Sequence, residues 1–263
     1  MDISSLQNPR VKQLVKLRED KRQRQKDGLI LVEGHDELTL ALACGFKPQT
    51  LLTAPELVRQ PLEFPHAETT SPENLTLSRA VFEKISYRDN PDGWLGVFTM
   101  PNFSLADLTL SENPLVIVAE SVEKPGNLGA ILRTADAAQV DAVLICDPRV
   151  DVWNPNVIRA SRGAVFAVPV VEVESSEALT WLRSRKMRVL AATPSAEALH
   201  TDVDMRGALA IAVGTEDKGL TDFWMQNADL RVKIPMGGKV NSLNVSIATA
   251  LLTYEAIRQR RNG

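Results

Sequence analysis

Leu115-Val116-Ile117-Val118-Ala119, a loop bearing Pro125-Gly126-Asn127, an apolar run from Leu128 to Ala138, and then Ala142-Val143-Leu144-Ile145 together decide the fold class. The two short runs are continuous and rich in β-branched residues, as strands covered on both faces are. The run between them is long enough for a helix. Strand, loop, helix, strand is the unit of a parallel sheet, because parallel neighbours need a crossover. The alternation continues outward from there. A loop with Asp147-Pro148 leads to an expected helix at Asn156–Ser161, a strand at Ala167–Val171, a helix at Glu177–Ser184 and a strand at Arg188–Ala192. Strands at Leu209–Val213 and Leu230–Ile234 and a long final helix complete this half. The expectation is an α/β domain with a largely parallel sheet covered on both faces.

Upstream, the first hundred residues read as a smaller mixed α/β unit. Leu29–Val32 is strand-like, Asp36–Cys44 is helical and stopped by Gly45, and Thr50–Thr53 is a short strand. Pro55, Pro61, Pro65 and Pro72 break regular structure. Leu75–Ile85 reads as a helix, Arg88–Gly93 as a turn and Trp94–Thr99 as a strand. Residues 100–114 carry Pro101, Asn102, Ser104, Ser111, Asn113 and Pro114 and form the best linker. The expected domains are therefore 1–105 and 106–263.

Of the 263 residues, 44% are hydrophobic and 24% charged, with a net charge of −3. That balance argues against long disorder and against a generic polyanion binder. No apolar run approaches the roughly 18 residues of a membrane span. The start, Met1-Asp2-Ile3-Ser4, lacks the layout of a signal peptide, so a cytoplasmic location is expected. Cys44 and Cys146 make neither a disulfide framework nor a metal cluster. His35, His66 and His200 lack ligand spacing, so no metal is expected. Trp153 and Trp224 read as packing residues before stacking ones. The charge is local: Arg10, Lys12, Lys16, Arg18, Lys21, Arg22, Arg24 and Lys26 are opposed within their span only by Glu19 and Asp20. With Val11, Leu14, Val15 and Leu17 they suggest one helix with a wide basic face. Such a face suits phosphates or is simply solvated.

Strand–loop–helix–strand at Leu115–Ile145 mimics a dinucleotide-binding unit. The loop Gly126-Asn127-Leu128-Gly129 lacks the third glycine of G-x-G-x-x-G, so that reading is poor. Three loops repay being read together. In the first, Asn127-Leu128-Gly129-Ala130-Ile131-Leu132-Arg133-Thr134-Ala135, an arginine that cannot shed its charge stands in an apolar helix. In the second, Gly214-Thr215-Glu216-Asp217-Lys218-Gly219, a carboxylate sits between glycines after a buried strand. The third runs from Ile234 to Ala248 and interleaves Ser242, Asn244 and Ser246 with Leu243, Val245 and Ile247 at a helix start. Singly, caps or an Arg133–Glu216 ion pair explain them. Together they fall at carboxyl ends of expected parallel strands, where α/β sheets build ligand sites.

In order and spacing, these loops resemble the three motifs of the SpoU (TrmH-like) branch of the SPOUT RNA methyltransferases: N-x-G-A-I-x-R-T-A, G-x-E-x-x-G and I-P-M-x-G-x-x-x-S-L-N-V-S-x-A, the last continuing to Tyr254-Glu255. Asn154-Pro155 and Arg159–Ala164 are similar to the family's stretch between the first two motifs. The first hundred residues resemble, more loosely, the family's L30e-like RNA-gripping extension, with Pro91-Asp92-Gly93 in place of Pro-Gln-Gly.

The resemblance implies a C-terminal α/β trefoil-knot domain that binds S-adenosylmethionine and methylates a ribose 2′-hydroxyl of RNA. It also implies a homodimer, with the final helix at the interface and the active site built across it. Ribosomal RNA is the favoured substrate and transfer RNA the alternative; a non-catalytic RNA-binding or assembly protein that keeps the knot is the rival class. By motif position, Arg133, Asn127, Glu216, Ser242 and Asn244 match catalytic positions. Thr193, Gly214, Ile234 and Leu243 match cofactor-binding ones. The family match raises Arg10, Lys12, Lys21, Arg22 and Arg24 to candidate RNA contacts.

Overall fold

The structure, a computed structural model, describes residues 2–63, 72–215 and 217–261. In chain order come β1 (Asp2–Ile3), α1 (Pro9–Glu19), α2 (Lys21–Asp27), β2 (Leu29–Glu33), α3 (His35–Ala43), β3 (Pro48–Thr53), β4 (Glu73–Leu77), α4 (Arg79–Ile85) and β5 (Trp94–Thr99). They are followed by β6 (Leu115–Glu120), α5 (Pro125–Ala137), β7 (Ala142–Cys146), α6 (Pro155–Ala160), α7 (Ala164–Ala167), β8 (Val170–Val173) and α8 (Ser175–Ser184). Last come β9 (Arg188–Ala192), β10 (Leu209–Val213), α9 (Asp222–Asn227), β11 (Leu230–Val232) and α10 (Val245–Arg261). Two compact units result: Met1–Pro101 with Asp151–Ala167, and Asn102–Val150 with Val168–Gly263. The excursion 151–167, which the sequence reading left with the second half, belongs to the first unit.

The first unit holds a five-stranded mixed sheet in the order β1-β4-β3-β5-β2. β4 pairs parallel with both β1 and β3, while β5 runs antiparallel to β3 and β2. Leu75–Ile85 is not one helix, as its apolar content suggested. Leu75 and Leu77 are buried in alternation on β4, and a helix begins only after Ser78. Period two there outweighs helix propensity because the strand has two partners to pair with. The basic span also divides. Asp20 leaves helical geometry at φ −115°, ψ 114°, ends α1, and accepts a hydrogen bond from the Arg22 N–H at 2.8 Å to cap α2. Val11, Leu14 and Leu17, spaced three apart, turn one face of α1 into the core.

Asp92, the departure from the family's Pro-Gln-Gly, has a local use. Gly34 at the N-cap of α3 has no side chain to offer, and Asp92 accepts the His35 N–H at 2.7 Å in its stead. Its charge also suits a helix N-terminus.

The second unit is a six-stranded, all-parallel sheet in the order β11-β9-β10-β6-β7-β8. Every residue of β6, β7 and β10 is buried, which is why these segments read as unbroken apolar runs. Trp224 of α9, fully buried, packs beneath β9 and β10 with Val189, Ala191 and Ala212 in its core cluster. Its indole N–H donates to Ser175 Oγ at 3.0 Å. Cys146 is a buried core residue, as its setting suggested.

Candidate active site

All six strands of the second unit run parallel, so their carboxyl ends lie along one edge. β9, β10 and β11 are neighbours there and end at Ala192, Val213 and Val232. The loops leaving them enclose a cavity of about 590 Å³, inside the usual range for a small-molecule site. Thr193, Gly214, Ile234 and Leu243, the four expected cofactor positions, all line it, and so does Ser242. Apolar walls come from Val213, Leu220, Val232, Met236 and Val245; Ser195, Asp217, Lys218 and Asp222 add polar groups that the sequence reading did not single out.

The loop after β10 is folded tightly on itself. Thr215 and Gly219 exchange two backbone hydrogen bonds, each at 3.0 Å, and Thr215 Oγ1 accepts the Lys218 N–H at 3.1 Å. Gly214 is required by the resulting closeness. A β-carbon there would lie 2.1 Å from the Gly219 carbonyl and 2.3 Å from the Leu220 nitrogen. The far end of the loop is anchored by Glu120, a buried carboxylate at the end of β6 that accepts the Thr221 N–H at 2.8 Å and its hydroxyl at 2.6 Å. The sequence signal for this anchor was available: an acid closing an otherwise wholly apolar strand must find donors.

Asn244 is the hinge of the third motif. Its Oδ1 accepts the Ser246 N–H at 3.0 Å and the Ser246 hydroxyl at 2.7 Å, which caps α10. Its Nδ2 donates to Asn127 Oδ1 at 3.1 Å. The N-termini of α5 and α10 are thus tied by two motif asparagines that stand 117 positions apart. Further along, α5 and α10 pack against each other. Arg133 lies on α5 but does not line the cavity. Its side chain is exposed and has no ion-pair partner among the described residues. Glu216 lies outside the described residues.

The basic span is only partly free. Lys12 and Arg22 are exposed, Lys21 is half-buried, and Arg10 pairs with Glu73 at 2.6 Å. Arg24 corrects the sequence reading: it is buried, not a surface cation. Its Nε and Nη2 both donate to Asp151 Oδ2, at 2.9 and 2.5 Å, and its Nη1 donates to the Leu17 and Arg18 carbonyls. Asp151, which the excursion 151–167 brings beside α2, is what draws this one cation inward. Arg18 is also occupied, capping α4 through the carbonyls of Lys84, Ile85 and Ser86. Among the described residues no group of three or more His, Cys, Asp or Glu side chains is placed to hold a metal ion.

The cavity suits a small molecule with both apolar and polar parts, since apolar side chains and polar groups share its wall. Comparison with known proteins places it. Residues 114–254 match the SpoU rRNA Methylase family and residues 8–96 the MRM3-like substrate binding domain. The 23S rRNA (uridine(2479)-2′-O)-methyltransferase of Streptomyces viridochromogenes is 29% identical over 97% of this chain and 92% of its own. A crystal structure of an RNA 2′-O ribose methyltransferase is similar at 40% identity and a TM-score of 0.85, covering 98% of this chain and 99% of that one. An AdoMet-bound rRNA methyltransferase from Sinorhizobium meliloti is similar at 28% identity and a TM-score of 0.87, covering 98% and 97%. Since the first match spans all three motif loops and the sheet that carries them, the chain belongs to the SpoU rRNA methylase family.

Proposed function

We propose that the chain transfers a methyl group from S-adenosylmethionine to a ribose 2′-hydroxyl of ribosomal RNA. The observation that carries this reading is the meeting of Thr193, Gly214, Ile234, Ser242 and Leu243 around one cavity, beside the Asn127–Asn244 bridge. When bound, the cofactor supplies an electrophilic methyl group, and the protein's part is to position and to activate. Thr193, Gly214, Ile234 and Leu243 hold the cofactor, largely through backbone groups and apolar contact.

Arg133 is a poor base, because a guanidinium holds its proton to a pH above about 12. It clamps a neighbouring phosphate and stabilises charge developing on the 2′-oxygen, while the proton leaves to phosphate or water. Asn127 and Ser242 orient the ribose or Arg133. Asn244 fixes the motif-three turn through its cap and its bond to Asn127. Glu216 fixes the arginine or the substrate.

The homodimer belongs to the same reading. Ile247, Leu251 and Tyr254, at i, i+4 and i+7 on α10, are 52%, 42% and 50% exposed. An apolar stripe of that kind on a helix calls for a partner. Arg133 stands off its own chain's cavity, which supports a site completed across the dimer. Ribosomal RNA is favoured over transfer RNA because relatives matched along nearly their whole length carry 23S rRNA names. The compartment in this reading is the cytoplasm; no helix among the described residues is long and apolar enough to cross a membrane.

Calorimetry tests the cofactor assignment. S-adenosylmethionine or its demethylated product should bind without added metal, and NADH should not. Tight NADH binding with no methyl-donor binding overturns the reading.

A further inference from the structure

The first unit carries an aromatic–cation pair that the methyl-transfer site does not use. Tyr87 follows α4, and its backbone is locked from below. The Tyr87 N–H donates to Glu33 Oε2 at 2.6 Å, and the Ser86 hydroxyl donates to Glu33 Oε1 at 2.5 Å. Next to it, Arg88 pairs with the buried Glu37 at 2.6 Å. The carboxylates under this turn are therefore engaged in holding it. The Tyr87 ring is left 39% exposed. Over it, 5.3 Å from the ring centroid, sits the Arg159 guanidinium from α6.

Arg159 is exposed and has no carboxylate partner and no side-chain hydrogen bond among the described residues. One turn on, Arg162 is also exposed, with only a 3.4 Å contact to Asp36. Its backbone is left-handed at φ 52°, a conformation that a glycine would take more readily. A held ring, a guanidinium over its face and a second cation one turn away lie together on this unit. Protein packing would bury the ring, and a structural ion pair would neutralise Arg159, which has none among the described residues; the Arg162–Asp36 pair is long and exposed. The combination instead matches how unpaired nucleotides are held: an aromatic or guanidinium plane takes the base, and free cations take the flanking phosphates.

We propose that Tyr87 and Arg159, with Arg162, form a stacking platform for an unpaired nucleotide of the RNA substrate, separate from the basic face of α1 and α2. The proposal rests on the reading of the chain as an RNA methyltransferase. It adds a recognition element for single-stranded RNA in the first unit. The partner is set by charge and shape: a base against the ring–guanidinium pair, phosphates against the two arginines.

The test uses the full chain and a fluorescein-labelled single-stranded RNA of about 12 nucleotides of mixed sequence, beside its perfect duplex. Anisotropy should show Tyr87→Ala losing at least about fivefold in affinity for the single strand, the scale of one stacked base, and Tyr87→Phe keeping it. Duplex binding should be unchanged in both. Arg159→Ala should weaken single-strand binding and lower its salt slope by about one counterion. Calorimetric affinity for S-adenosylmethionine should stay at the wild-type value in all three, since its cavity lies in the second unit, and an unchanged thermal melt by circular dichroism shows that the first unit is folded. Tyr87→Ala binding the single strand as tightly as wild type overturns the platform, and so does equal loss on single strand and duplex. A separate arm protects the parent reading: wild-type protein that methylates ribosomal RNA while Tyr87→Ala does so with unchanged KM removes the platform alone. Wild-type protein that methylates no RNA removes the reading beneath it.

Discussion

Replacing Gly214 by alanine puts the loop geometry to work as a number. The added β-carbon would lie 2.1 Å from the Gly219 carbonyl, whereas ordinary carbon contacts begin at about 3.5 Å. The two backbone stretches must part by about 1 Å or more. The paired Thr215–Gly219 hydrogen bonds, now 3.0 Å each, do not survive that separation. Overpacking of this kind costs about 1–3 kcal/mol, and each lost hydrogen bond adds about 0.5–1.5 kcal/mol. A loop penalty of about 2 kcal/mol or more, if the closed loop is what binds, weakens cofactor affinity by about 30-fold or more. Gly219→Ala is the companion. Its φ of 69° strains an alanine by about 1–2 kcal/mol, but nothing lies within 4 Å of the new methyl, so its loss should stay within about five- to thirtyfold and below that of Gly214→Ala. Calorimetry with the demethylated cofactor reads both, with circular dichroism confirming that the sheet is intact. Gly214→Ala binding as tightly as wild type would falsify the claim that this loop forms the cofactor wall.

Three further outcomes follow from single side chains. Arg133→Ala should lose methyl transfer by about 10²–10³ in single-turnover assays while still binding cofactor, and Arg133→Lys should recover little if planar bidentate geometry matters; normal rates in the alanine variant remove this residue from the catalytic set. Asp151→Ala strands a buried guanidinium and should cost about 3–5 kcal/mol, read as a lower denaturation midpoint, whereas an unchanged midpoint would mean the Arg24 pair is worth nothing. Glu255 is held down to about 2 from the usual 4.5, chiefly by hydrogen bonding from Arg258, aided by Gln259 and opposed by burial. A depressed carboxylate stabilises the fold above its unfolded value and loses that contribution as pH falls from about 4.5 toward 2. Glu255→Gln should therefore flatten acid destabilisation in that window, and identical acid melts for the two proteins contradict the assignment.

The parallel sheet was legible because β6, β7 and β10 are buried on both faces, which leaves an unbroken apolar run with no competing period. β4 was not, because a short run with Leu75 and Leu77 fits a helix or a strand until its partners β1 and β3 are known. Thr193, Gly214, Ile234 and Leu243, expected at cofactor positions from the motifs, meet around one cavity. The Asn127–Asn244 bond was not legible, since nothing local to either residue specifies a partner so far along the chain. Arg24 misled for the opposite reason. Charge counting treats each cation of a basic run as solvated, and only the return of 151–167 to the first unit shows that this one is buried.

The central claim is methylation of a ribose 2′-oxygen in ribosomal RNA. The most direct measurement incubates the protein with methyl-labelled S-adenosylmethionine and ribosomal RNA from cells lacking this gene, then digests the product with alkali. A 2′-O-methyl group blocks cleavage at its own nucleotide, so the account predicts label confined to alkali-resistant dinucleotides, appearing about 10²–10³ times more slowly with the Arg133→Ala protein. Label recovered in ordinary mononucleotides would place the methyl group on a base, and no label from the wild-type protein would mean that this RNA is not its substrate; either result contradicts the account.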